Sequence, residues 1–139
     1  MHKFENLEVW QLAVAYCDLC YAIAERLPAD ESLNPASQLR RAAVSVALNI
    51  AEGSTGQSDA EQARFLGMAI RSLVETVACQ HLIHRRHYLR EGNLLPEAYR
   101  ASEKLIAKLQ AMRRTVQGKK RLQEESSDYN MISVTPFDD

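Results

Sequence analysis

The sequence predicts an all-α protein: an antiparallel up-and-down four-helix bundle that forms a homo-oligomer. Three observations carry that expectation. Four stretches repeat apolar residues every three or four positions, the period of one helix face. The links between them are short and hold the Pro, Gly and Asn residues that start and stop helices. No segment shows the period-two alternation of a half-buried strand, and helices joined by short links pack antiparallel to their neighbours.

The first helix follows the opening MHKFENLE. Asn6 is its expected N-cap, with Glu8 in the first turn where the helix dipole favours an acid. Trp10, Ala13, Cys17, Cys20, Ala24 and Leu27 form one stripe, and Val9, Leu12, Tyr16, Leu19 and Ile23 a second beside it. A face that wide serves two or more neighbours, and Pro28 stops the helix.

Asn34 and Pro35 pair a capping side chain with a proline at the first helical position, so the second helix starts there. It runs to about Glu52, with Gly53 as its expected C-cap. Its sequence from Ser37 to Gly53, SQLRRAAVSVALNIAEG, is almost wholly small and aliphatic. Leu39, Ala43, Val46 and Ile50 make one face; Val44, Ala47, Leu48 and Ala51 make a second band. Gln38, Arg41, Ser45, Asn49 and Glu52 fall into one narrow polar strip. A helix apolar over most of its circumference needs protein around it. That is more cover than a lone bundle supplies, hence the expected oligomer.

Ser58 and Glu61 have capping-box spacing and open the third helix. Phe65, Leu66, Ala69, Ile70, Leu73, Val77 and Ala78 give its inner face. With no breaker before Gly92 it reads as about 30 residues, on the order of 45 Å. Gly92 and Asn93 make the next turn, and Pro96 sits near the start of the fourth helix. Leu95, Ala98, Ser102, Leu105, Leu109, Met112 and Val116 alternate strictly at three and four, the period of left-handed packing. Gly118 ends it. Residues 1–118 thus make the bundle domain. Residues 119–139 have no period and read as a mostly disordered acidic tail, within which the apolar fragment Met131–Val134 is the part able to dock.

Residues 1–121 carry all 17 Lys and Arg but 13 of the 18 acids, an excess of four positive charges hidden in the net charge of -1. A mildly basic body permits nucleic-acid contact without demanding it. Three cysteines, an odd count, and no apolar run at the start imply reduced thiols and a cytoplasmic protein. No stretch is long and apolar enough to span a bilayer.

The opening FENLEVWQLA, then Leu27 and Pro28, then SQLRRAAVSVALNIAEG, then Ser58, Glu61, Phe65, Leu66, Ala69, Ser72, Leu73 and Glu75 together resemble the four helix bundle protein family. Its members are encoded by intervening sequences inside some bacterial large-subunit ribosomal RNA genes. The match is close over Phe4 to Leu89 and rests on pattern alone in the fourth helix. The resemblance implies a bacterial cytosolic protein whose bundles assemble as a homopentameric ring. It also implies kinship with the accessory proteins of diversity-generating retroelements, similar pentamers that bind nucleic acid and a reverse transcriptase. Three positions depart from the family's habit. Gly56 and Gln57 stand where a loop base is usual, Arg71 where a small residue is common, and His87 where a glycine often precedes Tyr-Leu.

Four candidate sites follow from the residues. Arg41, Ser45, Asn49 and Glu52 are either a ligand seam or, more simply, a polar seam that sets register at an oligomer interface beside Val44, Leu48 and the anchor Trp10. Arg41 and Glu52 are roughly 16 Å apart along the helix, so they pair only across an interface. The second candidate is the basic set, with Arg40, Arg85, Arg86, Lys104, Lys108, Arg113 and Arg114 at its centre. It is either a phosphate-contact surface or a solvated exterior, since acids are mixed in and no stacking aromatics are interleaved. The third, His81, His84 and His87, reads as surface histidines rather than a metal site, because the third is rotated away and Arg85 and Arg86 would repel a cation. The fourth, Cys17 and Cys20, reads as buried small apolar residues rather than a redox pair. No nucleophile–base pair, phosphate loop or facing Glu-x-x-His motif is present. The expectation is a non-enzymatic oligomer without cofactor, associated with RNA or DNA and a nucleic-acid enzyme. The alternative is a structural or protein-binding oligomer without nucleic acid.

Overall fold

The computed structural model describes residues 1–29, 35–56, 58–89, 91–118 and 135–137. A 3-10 turn, Lys3–Asn6, leads into α1 (Glu8–Glu25), α2 (Pro35–Gly53), α3 (Asp59–Arg85) and α4 (Leu94–Val116). Among the described residues there is no strand. Each helix packs on the next in sequence, and α4 returns to α1. Inter-helix contacts fix the directions. Ser45 meets Ser72 while Gly53 meets Phe65, so α2 and α3 are antiparallel. Arg113 meets Ala63 while Tyr99 meets His81, so α3 and α4 are too. Lys108 reaches Glu8, and Arg26 lies over Gly92, closing the square. This is the up-and-down bundle that the short links imply.

The core takes the stripes expected of it. Val9, Ala13, Tyr16, Cys20 and Ile23 from α1 meet Leu39, Ala43, Val46 and Ile50 from α2, Leu66, Ala69 and Leu73 from α3, and Leu95, Ala98, Leu105 and Leu109 from α4. Ala78, expected on the inner face of α3, is exposed; Thr76, Cys79, Gln80 and Ile83 are buried in its place. The apolar reading missed this half of the face because two of its members are polar.

The helix ends bring corrections. Asn6 is not the cap of α1: it closes the 3-10 turn, and Leu7 is the N-cap with no side-chain bond. The Leu7 N–H donates to Phe4 O, and the Gln11 amide reaches back to Glu5 O. That folded turn sets Phe4 edge-on against Trp10 at 4.6 Å. Gly53 is not a left-handed cap but the buried last residue of α2. A Cβ there would lie 3.0 Å from the Phe65 Cβ, so the glycine serves the close approach of α3. The positive-φ glycine of that link is Gly56. The Asn34 cap lies outside the described residues. Ser58 caps α3 as expected, its hydroxyl accepting from the Glu61 N–H.

α3 is shorter than its lack of breakers suggested. It stops at Arg85 because His87 adopts φ +58, the left-handed conformation that glycine favours. The Tyr88 N–H donates to Ile83 O and the His87 N–H to His84 O, the paired bonds of a Schellman cap. His87 is thus the very position where the resemblance leads one to expect glycine. Gly118, at φ +76, ends α4 as read.

Candidate functional site

The polar strip of α2 divides once the helices are packed. Ser45, half-buried, shares a 2.8 Å hydroxyl bond with Ser72 of α3. Asn49 Nδ2 donates to Ser45 O at 2.8 Å and to Ser45 Oγ at 3.0 Å. These three residues form a stitched seam between α2 and α3. Arg41 and Glu52 are exposed and form no ion pair among the described residues. Leu48 lies one turn from Ser45 on the same outward side and is 56% exposed, while Val44 is half-buried. On α3, Met68 lies one turn from Ser72 and is also exposed, and Leu82 follows on the same side at 55%; Val74, two residues from Ser72, lies on the opposite side of the helix. Trp10 is partly buried against the core. It is held by Phe4 at the turn before α1. Glu52 borders an open cleft of about 550 Å³ that Lys3, Phe4 and Thr55 also line.

The basic set does not gather into one patch. Arg85 and Arg86 are exposed at the end of α3, whereas Arg113 and Arg114 end α4, beside the start of α3. From Ala63 to Arg85 is about 33 Å along the helix. Arg113 is built into the bundle. Its Nε donates to Ala63 O at 3.1 Å, and its guanidinium fills the space over Gly67 that a side chain there would take. Lys108 pairs with Glu8 at 3.4 Å, and Arg40 lies 6.0 Å from the Tyr21 ring. Lys104 is exposed on α4.

Burial pushes the Cys20 thiol up to about 12, and burial also raises Cys17 and Cys79. All three are free and stay protonated at neutral pH, which makes them poor nucleophiles and poor metal ligands. His81 and His84 face the ring of Phe137 rather than each other's lone pairs, and no group of three metal-ligating side chains forms among the described residues.

Two features were not anticipated. The first is a polar chain inside the core. Gln80 Nε2 donates to Tyr16 Oη at 2.7 Å, and Tyr16 Oη meets Thr76 Oγ1 at 2.6 Å. Thr76 spends its proton on Leu73 O, so Tyr16 is the donor to Thr76. Burial drives the Tyr16 phenol far above its ordinary value. Gln80 Oε1 has no partner among the described residues. The only sequence signal was that Tyr16 falls on a core stripe and therefore needs a partner for its hydroxyl. The second is Phe137, which packs into the core from the segment read as a disordered tail. Met131–Val134, the fragment read as able to dock, lies outside the described residues.

No helix among the described residues is long and apolar enough to cross a membrane. No curated protein matches the chain. The pattern of the 23S rRNA-intervening sequence proteins does, over residues 5–114, which takes in all four helices except the last two residues of α4. The chain belongs to the 23S rRNA-intervening sequence protein family.

Proposed function

We propose that the chain is a non-enzymatic scaffold that closes into a homo-oligomeric ring, five subunits by family resemblance, and contacts nucleic acid through exposed bases. The observation that carries the assembly is the outward face of α2 and α3. Leu48 of α2 and Leu82 of α3 are each more than half exposed there, and Met68, on the same side of α3 as Leu82, is exposed as well. An isolated exposed leucine is ordinary, but several on two adjoining helices mark a contact surface. Arg41 and Glu52 flank Leu48 and have no ion-pair partner among the described residues, as a symmetric interface that pairs them across subunits would require. Native mass spectrometry and sedimentation of the wild-type chain and of Leu48→Asp test this. The wild type should be a discrete oligomer, and Leu48→Asp a monomer of unchanged helicity. A wild-type chain that is monomeric at micromolar concentration rules the assembly out.

The nucleic-acid part rests on Arg85, Arg86 and Lys104, the exposed members of the central basic set, and on the family's kinship. Filter binding of RNA and DNA at graded salt tests it. Binding that weakens with salt and falls on Arg85→Glu with Arg86→Glu supports the contact; no binding at low salt defeats it. A scaffold without nucleic acid is the second reading. It is favoured by the bases already engaged by the protein itself, Arg113 on Ala63 O and, at the surface, Lys108 on Glu8.

A further inference from the structure

The segment Thr135–Phe137 packs against α3 and α4, and Phe137 is 6% exposed. Its ring sits 5.0 Å from His81, 5.1 Å from His84 and 5.5 Å from Tyr99, edge-on to the tyrosine and tilted against both imidazoles. His81 and His84 are one turn apart on α3, and Tyr99 faces them from α4, its ring 6.4 Å from that of His81. Three aromatic walls from two helices therefore enclose one phenyl ring. The approach of the ring is set locally. Pro136 fixes its own φ, and the Phe137 N–H donates to Thr135 Oγ1 at 3.1 Å, a side-chain turn that aims the phenyl inward.

The tether does not impose this contact. Tyr99 lies about 25 Å back along α4 from Val116. The residues from 118 to 135 could span roughly 60 Å if fully extended. With more than twice the chain needed, the position of Phe137 is decided by the pocket that holds it.

We infer that His81, His84 and Tyr99 form a peptide-docking pocket for an aromatic residue that follows Thr-Pro, and that the chain's own Thr135–Phe137 is its displaceable occupant in cis. A tethered occupant competes at high effective concentration with any peptide of the same kind offered from solution. A partner that presents such a segment gains access to the α3–α4 face only by displacing Phe137. This pocket is remote from Leu48 on α2, and the inference does not depend on the assembly proposed above.

The test uses a fluorescein-labelled peptide of residues 129–139 against full-length chains, read by anisotropy. The Phe137→Ala chain should bind it saturably and at least tenfold more tightly than the wild-type chain, whose pocket is filled. Binding should be lost when the peptide carries Phe137→Ala, and weakened at least threefold when the chain also carries His81→Ala. Equal binding to both chains, or none at millimolar peptide, overturns the inference. A second measurement needs no variant. Excess unlabelled peptide added to isotope-labelled wild-type chain should move the Phe137 ring signals to their free-peptide positions. Signals that stay in place overturn the docking. Displacement that depends on protein concentration would place the segment in a second copy's pocket and overturn the cis assignment.

Discussion

Two hydroxyl pairs join α3 to its neighbours, and they differ mainly in what surrounds them. Tyr16 and Thr76 meet at 2.6 Å between α1 and α3, fully enclosed in the core. Ser45 and Ser72 meet at 2.8 Å between α2 and α3, half in solvent. Geometry alone would rank them as equals. Burial separates them, because an enclosed polar group that loses its partner has no water to replace it. The inner pair is therefore a device that fixes how the bundle packs, with Gln80 as its third member. The outer pair holds register cheaply on a face flanked by Leu48 and Met68. On that face a half-wet seam and exposed aliphatics lie together, which is what the proposed assembly would cover.

The largest effect expected of this contrast is alkaline. The native Cys20 thiol, beside Tyr16, is pushed up to about 12 by burial against an ordinary 9.0 in the unfolded chain. The folded state thus holds the proton more tightly. Stability is full below pH 9 and is lost as pH climbs toward 12, at no more than about 1.4 kcal/mol per pH unit for one proton. Thermal melts across that range should show the decline, and Cys20→Ala should lessen it, leaving the part that belongs to Tyr16, Cys17 and Cys79, which burial also raises. The outer seam has no titrating member, so Ser45→Ala should leave the profile as it is.

Next comes the inner pair itself. Tyr16→Phe strands the Gln80 amide donor in the core and should cost about 1–3 kcal/mol in denaturant unfolding. Gln80→Leu removes an amide whose Oε1 has no partner and should cost clearly less. If the two cost the same, the hydrogen-bonded chain is not what distinguishes the interior. His87→Gly supplies a scale between the two regions, because it touches neither. Relieving the left-handed backbone at φ +58 should stabilise the chain by about 0.5–1 kcal/mol. The smallest effect belongs to the outer seam: Ser72→Ala should change monomer unfolding by no more than about 0.5 kcal/mol. A cost comparable to that of Tyr16→Phe would mean the seam is buried in solution, as an assembled ring would bury it.

Much of the bundle was legible in particular residues. Of the alternation Leu95, Ala98, Ser102, Leu105, Leu109, Met112 and Val116, the first five are the buried face of α4 and the last two are partly buried against the core. Ser58 caps α3 as its spacing with Glu61 predicts. The polar strip of α2 was visible as a strip, but its division was not. Periodicity places Arg41, Ser45, Asn49 and Glu52 on one side of a helix and says nothing of which of them a neighbouring helix covers. Gly53 was misread for a related reason. A glycine near a helix end satisfies both a cap and a close approach, and only the position of Phe65 decides between them.

The sequence by itself determined the four helices, most of their inner faces and the family. These depend on local periods and on turn residues that act within a few positions of chain. The tertiary structure alone decided that Thr76 and Gln80 belong to the core, that Arg113 serves a backbone carbonyl, and that Phe137 has a pocket. Each of those depends on a partner 20 or more residues away in sequence, where neither helical period nor residue type carries information about what will be near.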